Sequence, residues 1–143
     1  MPRFRLIVPV VAIAAVAFGA TACGGSSTDT TATTGSEAVF GRGSVPETVP
    51  ESFPIPDEAV VGATLVDATR GLTEMILTFP ADTAAVVEYY EENLPSRGYR
   101  ITDSDGTETE WGIDFSNDAV EGVMSVQTGG SGVAAAAVQF TER

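Results

Sequence analysis

The sequence predicts a two-layer α+β fold, in which a mostly antiparallel sheet of about five to six strands carries one helix packed on one face. Apolar and polar residues alternate over several short stretches, which is the pattern of half-buried strands. Glycine, proline, asparagine and aspartate separate those stretches, as in hairpins. Residues 83–94 have apolar side chains at helical spacing instead. The predicted order of elements is therefore β-β-α-β-β-β-β.

The first two strands are predicted at residues 59–66 and 74–79. In the second of these strands, Met75, Leu77 and Phe79 share one face because side chains alternate along a strand. The other face carries Glu74, Ile76 and Thr78, so we expect the face with Met75, Leu77 and Phe79 to be the buried one.

The helix is predicted to begin after Asp82, whose carboxylate can accept hydrogen bonds from the free N–H groups of the first turn. Its apolar stripe consists of Val86, Val87, Tyr90 and Leu94. We expect the glutamates at positions 88, 91 and 92 to face outward. Pro95 makes the end of the helix irregular, and Gly98 is predicted to close it in a left-handed conformation.

The second half of the domain is predicted to consist of strands joined by tight turns at Asp105-Gly106, Asn117-Asp118 and residues 129–132. Alternation places two sets of side chains on inner faces. They are Trp111, Ile113 and Phe115 on one strand, and Val120, Met124 and Val126 on the next.

The last predicted strand, residues 133–140, contains four consecutive alanines. If this strand and the one before it are neighbours, their outer face is flat and mildly apolar. Its members are then Val123, Val133, Ala135 and Ala137. Such a face is either a contact surface for a partner or a thin face left to solvent.

Residues 1–22 are interpreted as a lipoprotein signal peptide, with Arg3 and Arg5 ahead of an uncharged apolar run. The run Ala20-Thr21-Ala22-Cys23 resembles the lipobox of bacterial lipoproteins, in which the cysteine thiol is diacylglycerated and becomes the N-terminus. The resemblance implies lipidation of Cys23, the only cysteine. The same small residues also form an A-x-A site for ordinary signal peptidase, so secretion without a lipid is the alternative.

Residues 23–50 are predicted to be the lipidated cysteine followed by a disordered tether rich in serine, threonine and proline. Residues 51–143 are predicted to form the small α+β domain, with Phe53 and Ile55 as its first docked side chains. The domain resembles a small domain that recurs in lipoproteins of high-GC Gram-positive bacteria. The resemblance lies in residues 53–56, in the helix end at residues 89–95 and in Gly98-Tyr99. That resemblance implies a fold and no catalytic residue.

The composition excludes several functions. The chain has 20 Asp and Glu against 7 Lys and Arg, for a net charge of −13. Such a surface repels phosphate backbones, so we expect no nucleic-acid partner. The sequence contains no histidine, which removes the commonest general base and metal ligand. We expect no cofactor, no metal and no catalytic residue, and we predict that the protein is not an enzyme.

Two loop motifs resemble ligand sites without meeting their requirements. Residues 103–108 resemble half of a calcium loop, but the alignment puts Ile101 and Gly112 at ligand positions, so a hairpin turn fits better. Residues 129–132 lack the lysine and the following helix of a phosphate loop, and a turn is predicted there.

The leading hypothesis is a non-enzymatic binding or accessory module of the cell envelope. Lipidated Cys23 would hold it at the extracytoplasmic face of the cell membrane, where its partner would be an envelope protein. One alternative is a secreted hydrolase that uses carboxylates. Its candidate groups are Glu88, Glu91, Glu92, Asp114 and Asp118. Another is a glycan-binding protein in which Trp111 stacks on sugar beside Asp114 and Asp118, although the alternation around Trp111 favours a core position.

Overall fold

The computed structural model describes residues 38–143, which form seven strands and one helix. The elements are β1 (Ala38–Arg42), β2 (Val60–Asp67), β3 (Leu72–Phe79), α1 (Thr83–Ser96), β4 (Arg100–Gly106), β5 (Glu110–Ser116), β6 (Val120–Gly130) and β7 (Val133–Glu142). All strands belong to one antiparallel sheet with the order β1-β2-β3-β7-β6-β5-β4. The α+β class is confirmed, with the sheet as its dominant part.

The sheet contains one strand more than the predicted order, because β1 lies within the stretch predicted as a tether. Phe40 pairs with Leu65 and Val39 with Val66 along β2. Val49 is also buried, so ordered structure extends N-terminally of the predicted boundary at residue 51. The sequence does not reveal β1, because all five of its residues are exposed and the strand is formed by backbone pairing with β2. Residues 1–37, including the predicted signal peptide, Cys23 and the start of the tether, lie outside the described residues.

The helix begins where the sequence predicts. The Ala85 N–H donates to Asp82 Oδ1 at 2.8 Å, so Asp82 is the N-cap. Pro95 lies inside the last turn, and the helix extends past it to Ser96. Gly98 follows with a φ of 87°, as expected of a glycine that closes a helix. The four predicted stripe residues are all buried.

Aromatic side chains meet in the core around Phe53, which lies in the segment before β2. Its ring centroid is 4.9 Å from that of Phe140, 5.6 Å from Phe115 and 5.7 Å from Tyr90. Phe53 is 5% exposed, so its predicted docking is confirmed, and Ile55 packs against the core as a partly buried residue. Phe53 therefore links rings from two strands and the helix.

Gly122 is a position in the sheet where core packing requires glycine. Gly122 on β6 pairs directly with Phe115 on β5, and the Phe115 ring lies across it. A Cβ atom added at Gly122 would overlap carbon atoms of that ring. Gly112, on β5, has only the Asp105 carbonyl oxygen near the corresponding position, at 3.8 Å.

Candidate functional site

A groove beside Trp111 brings together several of the side chains proposed from the sequence. Alternation along β5 turns Trp111 toward the same side as buried Ile113 and Phe115, and residues of α1 line the groove with it. The groove has a cavity volume of about 260 Å³. It is lined by Thr83, Ala84, Val87, Glu88 and Glu91 of α1 and by Thr107, Glu108 and Trp111 of the β4–β5 hairpin. We call it the tryptophan groove.

Hydrogen bonds fix the indole and one carboxylate of this groove. The Trp111 Nε1–H donates to Ser104 Oγ at 2.9 Å, and the Ser104 hydroxyl donates to Glu91 Oε1 at 2.7 Å. Trp111 itself is half-buried against the core, which agrees only in part with the predicted core position. A second hydroxyl pair, Thr83 with Thr128 at 2.9 Å, lies at the start of α1.

The glycan-binding alternative requires Trp111 to lie beside Asp114 and Asp118, and the structure does not bring these residues together. Asp114 is on the opposite face of β5 from Trp111, because side chains separated by an odd number of strand positions point to opposite sides. Asp118 lies in the turn between β5 and β6, near Arg143. Of the helix glutamates, Glu88 and Glu91 line the tryptophan groove and Glu92 does not.

The stretch resembling a calcium loop is part of a hairpin, as predicted, but its turn is displaced. Asp105-Gly106 belongs to β4, and the turn is formed by residues 107–109. Thr107 closes it, since its N–H donates to the Glu110 carbonyl and its Oγ1 accepts from the Glu110 N–H at 3.2 Å. Within residues 38–143, no group of three or more His, Cys, Asp or Glu side chains is arranged to hold a metal ion.

Residues 131–132 form the turn predicted at 129–132.

A second cavity of about 340 Å³ lies between α1 and the segment before β2. Its lining is mostly apolar and includes Pro56, Phe79 and Val86, with Tyr89 at its side. Burial raises the pKa of the Tyr89 hydroxyl, and the Arg97 guanidinium partly opposes that shift. Burial also raises the pKa of Tyr90, whose hydroxyl has no hydrogen-bond partner among the described residues. Both phenols are therefore neutral near pH 7.

The outer face of the sheet is the second candidate surface. β6 and β7 are neighbours, as the prediction of a flat face required, and Ser125 pairs with Ala137. Strand pairing extends the same face across β3, β2 and β1. Glu74 of β3 pairs with Leu65 of β2, and Leu65 pairs with Phe40 of β1, so the three residues lie on one face of the sheet. Its large exposed apolar residues are Phe40 at 80%, Val60 at 63%, Val123 at 50% and Ile76 at 39% exposure. We call this surface, together with Ala135 and Ala137, the open face.

The sequence revealed only part of the open face. Val123, Val133, Ala135 and Ala137 were readable from alternation, whereas Phe40 and Val60 were not. No sequence signal places Phe40 there, because its position depends on the pairing of β1 with β2. The Gln139 amide donates to Glu74 Oε1 at 3.2 Å near the centre of the face, so the apolar residues surround a polar pair.

Comparison with protein-family models, with curated proteins and with solved structures gives no match to this chain. Along the part of the chain that the structure describes, no helix has the length and apolar character needed to cross a membrane.

Proposed function

We propose that this protein is a non-enzymatic binding or accessory module of the cell envelope, and that its domain binds a partner protein through the open face. The observation that carries the proposal is the cluster of large apolar side chains on one exposed side of the sheet. Large apolar side chains exposed on four strands of one sheet face, around the Gln139–Glu74 pair, favour an interaction site over a purely solvated surface. Fully burying one exposed side chain of this kind contributes about 1.5–3 kcal/mol. The most exposed members, Phe40 and Val60, therefore have the most to contribute to an interface.

The proposal requires the opposite side of the sheet to be covered by the chain itself, as in the predicted two-layer arrangement. Ring contacts support this part: Tyr90 of α1 lies 6.1 Å from Phe79 and 5.7 Å from Phe53, measured between ring centroids. The buried residues of β3, β6 and β7 all belong to the side that carries Phe79. The open face is then the side of the sheet available to a partner.

A site-specific crosslinking experiment tests the open face. A photo-crosslinking amino acid at Val123 should give an adduct with a partner protein in intact cells, because this side chain is 50% exposed on the outer side of β6, within the open face. The same amino acid at exposed Glu51, on the segment before β2, is the control and should give none. Val123→Asp should abolish capture of the partner identified at that position. Equal adducts at both positions, or capture unaffected by Val123→Asp, would contradict the proposal.

The proposed anchor is a diacylglycerol thioether on Cys23, which would hold the protein at the extracytoplasmic face of the cell membrane. Its support is the resemblance of Ala20-Thr21-Ala22-Cys23 to a lipobox. Stable anchoring takes more than one acyl chain, which a diacylglycerated cysteine supplies. This location would also expose the domain to envelope proteins.

Mass spectrometry of the membrane-extracted protein should show Cys23 as the modified N-terminal residue. Cys23→Ser should move the protein from the membrane fraction to the medium or leave it uncleaved. An unmodified Cys23 in the culture supernatant would instead identify processing by ordinary signal peptidase, and the lipid anchor would be wrong.

A further inference from the structure

We infer that the tryptophan groove binds the guanidinium or ammonium group of a basic side chain on a partner polypeptide. This site is separate from the open face, and the inference does not depend on the proposed function. It rests on the size of the groove, on its charge and on the hydrogen bonds its polar groups already make.

The size of the groove favours a single side chain. Its volume of about 260 Å³ lies below the roughly 300–1,000 Å³ of sites that enclose a whole small molecule. Ala84 and Val87 of α1 and the indole of Trp111 supply apolar walls. The methylene stem of an arginine or lysine can lie against such walls while its charged end remains at a polar rim.

The charge of the groove selects a cation. Glu88, Glu91 and Glu108 all line it, from two different elements. None of the arginines in residues 38–143 lines it; Arg70 pairs with Asp67 and Arg143 with Glu121 elsewhere. The net charge of −13 adds a long-range attraction for basic ligands. A phosphate or carboxylate ligand would be repelled at every stage of approach.

The existing hydrogen bonds favour a cation over a sugar. The Trp111 N–H, the Ser104 hydroxyl and the Thr83 hydroxyl are all engaged within the protein. The groove therefore offers an aromatic surface and carboxylate acceptors, and few free donors. A sugar requires donors as well as acceptors, whereas a guanidinium or ammonium group has donors only. An indole is also the aromatic ring that attracts cations most strongly.

The geometry is prepared before the ligand arrives. Ser104 bonds both the indole edge and Glu91 Oε1, so one carboxylate is held beside the ring. The aromatic ring thus belongs to β5 and the carboxylate belongs to α1. Ser104, on β4, fixes the separation between them. A site fixed in this way loses little conformational entropy on binding.

Trp111 is the only tryptophan in the chain, so its fluorescence reports directly on the groove. Titrating the full-length, detergent-extracted protein with N-acetylarginine methylamide should give a saturable change in Trp111 emission that weakens as salt is added. The citrulline analogue has nearly the same shape without the charge and should give no saturable change. N-acetylglucosamine tests the sugar alternative and should also give none.

Glu88→Gln combined with Glu108→Gln should weaken binding of the arginine probe by about tenfold, because two carboxylates are lost. Glu92→Gln, on the same helix but outside the groove, is the matched control and should bind as the unaltered protein does. Circular dichroism confirms that each variant is folded. Equal binding of the citrulline analogue, saturable binding of the sugar alone, absence of any response, or unchanged affinity in the double variant would overturn the inference.

Discussion

Phe53→Ala is expected to lower the free energy of unfolding by about 3–5 kcal/mol, the range for truncating a buried phenylalanine. The Phe53 ring contacts Tyr90, Phe115 and Phe140, so its removal leaves a cavity bordered by rings that are fixed on α1, β5 and β7. Those elements cannot collapse onto the space without moving the sheet. Because small domains are stable by only about 5–15 kcal/mol, much of the total would be lost.

Urea unfolding followed by circular dichroism measures this effect, and Phe40→Ala supplies a control with identical chemistry. Phe40 is 80% exposed, so its truncation should change the free energy of unfolding by less than about 0.5 kcal/mol. Similar effects from the two substitutions would show that Phe53 does not link the core as described. Phe53→Leu should fall between them, since it leaves a smaller cavity.

Gly122→Ala is expected to lower the free energy of unfolding by about 1–3 kcal/mol, the usual cost of forcing an extra carbon into a packed core. The added Cβ would overlap the Phe115 ring, and this ring is itself held by Phe53, Tyr99 and Phe140. It cannot turn aside without disturbing several neighbours. The same unfolding experiment measures the loss.

Gly112→Ala is the matched control for Gly122→Ala, because both glycines lie within strands of the same sheet. At Gly112 the new Cβ would have the Asp105 carbonyl oxygen at an ordinary 3.8 Å, so we expect little change. In a Phe115→Leu background, Gly122→Ala should cost less than it does alone, since the overlapping ring is gone. Additive effects of Phe115→Leu and Gly122→Ala would exclude the proposed clash.

Local rules were sufficient for much of the fold. Alternation identified Met75, Leu77 and Phe79 as a buried face, and capping chemistry identified Asp82 as the start of α1. These predictions succeeded because each depends on neighbours within one turn or one strand. The Asp105-Gly106 turn was misplaced because Thr107 closes the hairpin two residues later with its own side chain and backbone.

Sequence reasoning was less informative about the two candidate surfaces, because each depends on long-range pairing. β1 has no buried residue, so only its hydrogen bonds to β2 reveal it and bring Phe40 to the open face. In the tryptophan groove, Glu91 and Trp111 are joined through Ser104 on a third element. The aspartates near Trp111 in sequence are not its neighbours in space, which are glutamates from α1 and the β4–β5 hairpin.

The strand order has a consequence for how the domain assembles. Every pair of adjacent strands in the sheet is consecutive in sequence except β3 with β7, which join Leu72 to Thr141 and Phe79 to Ala134. The pairing of β3 with β7 therefore carries the entropic cost of closing a long loop, whereas the other pairs form as local hairpins. Two meanders, β1–β3 and β4–β7, meet along the alanine-rich strand. Four consecutive alanines of β7 lie in this pairing, and an alanine loses no side-chain rotamer freedom when it becomes buried there.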